Sequence, residues 1–137
     1  MMVRQNNCMP ISAVFITFAG NCKEALTFYQ SCFGGILQFD TFENQVPGFT
    51  EIPVVSGSLV SESIIIYGSD LVHDEGRKPG NHMAIYLQCE DWYDRKILID
   101  QLKSDNVLEN KDRQKLIEII DNFDVRWLLG IEYADSL

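Results

Sequence analysis

A short strand running into an amphipathic helix occurs twice in this chain, and that repetition limits the possible folds more than any other feature. Ala13-Val14-Phe15-Ile16-Thr17-Phe18 leads to Asn21 and a helical stripe. Sixty-nine positions later, His82-Met83-Ala84-Ile85-Tyr86-Leu87 leads to Glu90-Asp91 and a second stripe. In each copy the second, fourth and sixth residues are apolar: Val14, Ile16 and Phe18, then Met83, Ile85 and Leu87. Alternation of that period packs one face of a strand and leaves the other free to line something. Such a unit repeated within 137 residues predicts an α+β fold of two βαβββ modules, with any chemistry in the groove between the halves.

Punctuation along the chain sets the expected boundaries. Pro10 precedes a first strand over Ile11–Phe18. Asn21 with Glu24 three residues on has the form of a capping box, opening a helix to Phe33 whose stripe is Cys22, Ala25, Leu26, Tyr29, Cys32 and Phe33. Gly34-Gly35 stops it, and Ile36–Glu43 alternates as a strand. Pro47, Gly48, Pro53 and Gly57 mark Asn44–Gly57 as an irregular loop. A strand over Leu59–Tyr67, a turn at Gly68-Ser69-Asp70 and a return strand over Leu71–Asp74 complete module one, about residues 11–75. A linker follows at about 76–81, then module two over about 82–133. This second module comprises a strand over His82–Cys89 and a helix from Asp91 to Ser104, buried through Trp92, Ile97, Leu98 and Leu102. Strands over Val107–Lys111, Arg113–Asp121 and Val125–Tyr133 close it, the last two joined by a turn at Asn122-Phe123-Asp124.

Composition narrows the function classes. Twenty acidic residues against 11 basic ones give a formal charge of −9, which opposes binding to nucleic acid or anionic membranes. No run of apolar residues is long enough to span a bilayer, and the polar Met1–Pro10 segment lacks the apolar core of a secretory signal, so the expectation is a cytoplasmic protein. Cys8, Cys22, Cys32 and Cys89 form no C-x-x-C pair, which argues against a zinc knuckle or a redox dithiol. Glycine-rich phosphate or nucleotide loops and the G-x-S-x-G turn of serine hydrolases are likewise missing.

Three segments carry a resemblance: ITFAGNCKEALTFYQSCFGG (Ile16–Gly35), YGSDLV (Tyr67–Val72) and DNFDVRW (Asp121–Trp127). Together they resemble the PhnB-like branch of the glyoxalase/bleomycin resistance/extradiol dioxygenase superfamily, also called the vicinal oxygen chelate fold. The resemblance implies curved mixed sheets around a cleft, the glyoxalase/bleomycin resistance/dihydroxybiphenyl dioxygenase fold, in a homodimer. Metal-dependent members place four His, Gln or Glu ligands at the start of each module's first strand and in its last strand. Carried onto this chain, those places fall at about Ala13, Val72, His82 and Leu128, of which only His82 can donate to a metal. The expectation is therefore no metal, no cofactor, and a small organic ligand in the cleft. The alternative is a divalent-metal-dependent lyase or dioxygenase whose displaced ligands, His73, Asp74 or Glu75, gather around His82.

The expected ligand-binding residues are Phe15, Thr17, Asp74, His82 and Tyr86; no catalytic residue is assigned. Phe15, Thr17, Ala84 and Tyr86 share the strand face of Ala13 and His82 and would floor a site for a flat molecule, or else pack in the core or a dimer. His82 reads either as a ligand contact or general base, or as a plain histidine at a strand start, and Asp74 is its candidate partner. Trp127, Trp92 and Tyr93 are expected to pack. Asp124 takes a turn position where relatives have glycine, so a positive φ is expected there. Apolar surface left by Phe15, Val72, Ala84, Tyr86 and Leu128, with unpaired strand edges, favours a homodimer.

Overall fold

A computed structural model describes residues 11–44, 46–48, 52–70, 80, 82–103 and 115–132. The chain divides into two compact units, Met1–Lys78 and Pro79–Leu137.

In the first unit, β1 (Val14–Thr17), α1 (Cys22–Phe33), β2 (Ile36–Thr41), β3 (Val54–Val60) and β4 (Ile65–Ser69) build a mixed sheet of order β1-β4-β3-β2. β1 runs parallel to β4; the other two pairings are antiparallel. The expected α1 stripe is realised: Cys22, Ala25, Leu26 and Tyr29 are buried, with Cys32 and Phe33 half-buried. They pack on the sheet face that carries Leu59 and Ile66. Gly57 and Gly68 are direct partners across β3 and β4 on that face, and a Cβ at either would press on Leu26 or on Phe18 and Cys22. Two small residues there let the helix lie close. Gly34 at φ 74° ends the helix, its N–H donating to Gln30 O at 2.7 Å.

Two strand limits differ from expectation. Val54–Gly57 belongs to β3 rather than to a loop, and Leu59–Tyr67 is two strands, not one. The break is a turn in which Ser61 Oγ donates to Ile64 O at 2.7 Å and accepts from Ile64 N–H at 2.9 Å. A serine side chain can replace a backbone partner in this way, so the apolar run of Ile64-Ile65-Ile66 hides a reversal. Gly68 and Ser69 therefore close β4 instead of forming a turn, and the proposed return strand Leu71–Asp74 lies outside the described residues.

The capping box is also not formed: Asn21 makes no side-chain cap. Asp70, just past β4, takes that role from the end of the strand beside β1. Its Oδ1 accepts from Gly20 N–H at 2.8 Å and Cys22 N–H at 3.1 Å, and its Oδ2 from Val54 N–H at 2.9 Å. One buried carboxylate thus ties the start of α1 to β3.

In the second unit, β5 (Ile85–Cys89), α2 (Trp92–Leu102), β6 (Leu116–Ile120) and β7 (Arg126–Ile131) form a sheet of order β5-β7-β6, with β5 parallel to β7 and β6 antiparallel to it. Asp91 caps α2, accepting from Asp94 N–H at 2.9 Å. The buried stripe of α2 is turned away from the expected one: Arg95, Ile99 and Leu102 are buried with Leu98 half-buried, while Trp92 and Ile97 stay exposed and Tyr93 is 71% exposed. Arg95 occupies the centre of that stripe at 1% exposure. Its Nη1 donates to the backbone oxygens of Lys115 (3.1 Å) and Leu129 (3.3 Å), and its guanidinium lies 5.2 Å from the Trp92 ring centre. A charged side chain that finds carbonyl acceptors and an aromatic face can be core, which an apolar-periodicity reading excludes.

Trp127 is fully buried as expected, and its Nε1–H donates to Asp121 Oδ2 at 2.8 Å. Asp121 Oδ1 accepts from Phe123 and Val125 N–H, closing the β6–β7 turn, where Asp124 holds φ 64°. The further strand expected at Val107–Lys111 lies outside the described residues.

Candidate functional site

Each sheet has one face under its helix and one turned away from it, and alternation assigns the side chains. In the first unit Val14 and Ile16 point with Ile66 and Leu59 to the helix side, leaving Phe15 and Thr17 on the open side. Register then lays out a row across that open face: Phe15 beside Tyr67, Tyr67 beside Ser58, Ser58 beside Gln38. Phe15 is 57% and Tyr67 44% exposed. The row is an aromatic pair followed by a hydroxyl and an amide. Tyr67 escapes the sequence reading because the Ser61–Ile64 turn does; without that turn its strand cannot be placed beside β1.

In the second unit Ile85, Leu87, Trp127 and Leu129 lie on the helix side, and Tyr86, Leu128 and Glu118 form a row across the open face. Tyr86 is 51% exposed and lies down on the sheet: a Cβ at Gly130 would sit 2.5 Å from its Oη and 3.1 Å from its ring. Its hydroxyl donates to Gln88 Oε1 at 3.4 Å. The result is a tyrosine ring laid over backbone, presenting its other side outward.

His82 does not share this order. β5 begins at Ile85, so His82, Met83 and Ala84 lie on an irregular approach where strand alternation does not apply. All three are exposed, and Met83, expected under the helix, is 74% exposed. His82 is near Tyr86 along the chain, while Asp74, His73 and Glu75 lie outside the described residues.

A four-ligand metal site does not fit these residues. Ala13, Val72 and Leu128 have no donor atom, and Val72 lies beyond β4, outside the described residues. Among the described residues no group of three or more His, Cys, Asp or Glu is placed to hold a metal ion. The buried thiols are poor nucleophiles. Burial, with the Asp70 carboxylate adding to it, pushes Cys22 up to about 12; burial also raises Cys89, opposed by Arg95.

A PhnB protein of Bacillus cereus, provisionally described as a 3-demethylubiquinone-9 3-methyltransferase, is 22% identical with TM-score 0.67, covering 88% of this chain and 98% of its own. A protein from Pseudomonas aeruginosa is 21% identical with TM-score 0.71, covering 90% and 98%. A member of the glyoxalase/bleomycin resistance protein/dioxygenase superfamily from Sphaerobacter thermophilus is 21% identical with TM-score 0.52, covering 90% and 98%. The chain shares the fold of these structures, the glyoxalase/bleomycin resistance fold. At these identities the likeness is one of fold. No family model and no curated protein matches the sequence. No helix among the described residues is long and apolar enough to cross a membrane.

Proposed function

We propose that this protein binds a small, flat organic ligand on the open faces of its sheets, without a complete metal site. One observation carries this reading: in each unit the sheet face turned from the helix keeps aromatic rings exposed, Phe15 and Tyr67 in the first and Tyr86 in the second. A face that merely met water would carry polar side chains there. Thr17, Ser58, Gln38 and Gln88 supply hydroxyl and amide groups beside the rings, enough to orient a ligand. His82 and Asp74 stand as further contacts in this reading, and the buried thiols of Cys22 and Cys89 suit a reducing, cytoplasmic setting. Exposed rings of this kind also favour a homodimer, whose scattering mass would be twice the 15.7 kDa of one chain.

Calorimetric titration with 2-naphthol tests the ligand reading. The expected result is saturable binding that survives chelation of divalent ions and weakens about fivefold or more in Tyr86→Ala or Phe15→Ala. Binding that requires an added divalent ion overturns it, as does failure of both 2-naphthol and its carboxylate counterpart, 2-naphthoate, to bind.

A further inference from the structure

The open face of the second sheet carries one full positive charge. Among the strand residues Ile85–Cys89, Leu116–Ile120 and Arg126–Ile131, Arg126 is the only basic side chain. By alternation it stands on the face of Leu128 and Gly130, next to the Tyr86–Leu128–Glu118 row. Its Nη1 donates to Glu118 Oε2 in an ion pair, with Glu118 half exposed and the Arg126 side chain only 23% exposed.

The Nε of Arg126 is shielded from solvent and has no acceptor among the described residues. A guanidinium can take a carboxylate end-on through its two Nη atoms or side-on through Nε and one Nη. Glu118 engages Nη1, so the side-on edge keeps an unsatisfied donor. A shielded N–H without an acceptor is disfavoured, and a turn of the Arg126 side chain, itself 23% exposed, that brings the N–H to a ligand oxygen relieves that penalty. Glu118 is a weak competitor, because an exposed carboxylate gains little from pairing and can swing into water.

We propose that the open face of the second sheet selects a flat organic acid, its ring resting on Tyr86 and Leu128 and its carboxylate held side-on by Arg126. This rests on the ligand reading above and adds the class of ligand. The chain's charge of −9 repels anions at long range, so the selection comes from the local fork and not from the overall field.

Two probes that differ only in the acid group decide it: 2-naphthoate and 2-naphthol, titrated calorimetrically into the full chain. The wild-type protein is expected to bind 2-naphthoate about tenfold more tightly. Arg126→Gln should remove the difference between the two probes. Glu118→Gln, which frees the guanidinium and leaves a neutral partner, should tighten 2-naphthoate and keeps the test valid where the arginine variant fails to fold. Equal affinities in the wild type, a preference that persists in Arg126→Gln, or weaker naphthoate binding in Glu118→Gln overturns the proposal. If neither probe binds, the ligand reading itself fails and takes the acid site with it; if naphthol alone binds, only the acid site fails.

Discussion

The carboxylate of Asp70, just past the end of β4, holds the amide of Cys22, the first residue of α1, at 3.1 Å. A helix start is normally capped by its own neighbour. Here the cap comes from 48 residues away, so α1 is anchored only once β4 has joined the sheet. Asp70→Ala leaves three backbone N–H groups without their acceptor and should cost about 3 kcal/mol. Asp70→Asn keeps one amide oxygen and should cost less, about 1–2 kcal/mol. Urea unfolding reads both as midpoint shifts at constant slope; equal losses in the two variants would contradict the capping role.

Cys22 makes the first unit sensitive to alkali. Its thiol is pushed from 9.0 up to about 12 by burial, with Asp70 adding to the effect. The folded protein holds that proton more tightly than the unfolded chain does. Its contribution to stability is therefore whole below pH 9.0 and lost as pH climbs from there towards 12. The loss runs at about 1.4 kcal/mol per pH unit in that window. Cys22→Ala should flatten the fall in stability between neutral pH and pH ~10 relative to wild type. Parallel curves for the two proteins would show that another group sets the alkaline limit.

Arg95 should behave as a core residue of the second unit. Arg95→Ala removes the donors to Lys115 O and Leu129 O and opens a cavity, for an expected cost of about 3–4 kcal/mol. Arg95→Met restores bulk without the donors and should recover part of that loss. Amide exchange in β7 and α2 reads the effect directly; unchanged protection in the alanine variant would rule out a core role.

Gly130→Ala tests the placement of Tyr86. The added methyl would meet the tyrosine Oη at 2.5 Å, and the ring, at the end of a flexible side chain, must lift. Stability should change by no more than about 1 kcal/mol, whereas 2-naphthol affinity should fall about as far as in Tyr86→Ala. Full binding in Gly130→Ala would show that the ring's resting place does not matter to the face.

The duplication, the α1 stripe and the alternation of Phe15 against Ile16 were legible because apolar periodicity is a local signal. The turn at Ser61 was not, since a single hydroxyl bonding Ile64 breaks an apolar run without any glycine or proline. That miss carried Tyr67 with it, as a residue cannot be paired across strands until both strands are placed. Arg95 escaped for the opposite reason: its burial depends on carbonyls 20 and 34 residues away, which no helical pattern encodes. Of the expected site residues, Phe15, Thr17 and Tyr86 lie on open strand faces, and His82 precedes its strand rather than starting it.

The hydrogen bond from Trp127 to Asp121 has a spectroscopic consequence. Both tryptophans of the chain, Trp92 and Trp127, belong to the second unit. Trp127 is sealed against water and joined to a carboxylate, while Trp92 is partly exposed beneath a guanidinium. Indole emission thus arises only from the second unit, with Trp127 reporting the β6–β7 hairpin and Trp92 the start of α2. Far-ultraviolet dichroism sees the helices of both units. Superimposable melts by the two signals identify a protein whose halves unfold as one, and an indole signal that shifts early or late identifies halves that unfold apart.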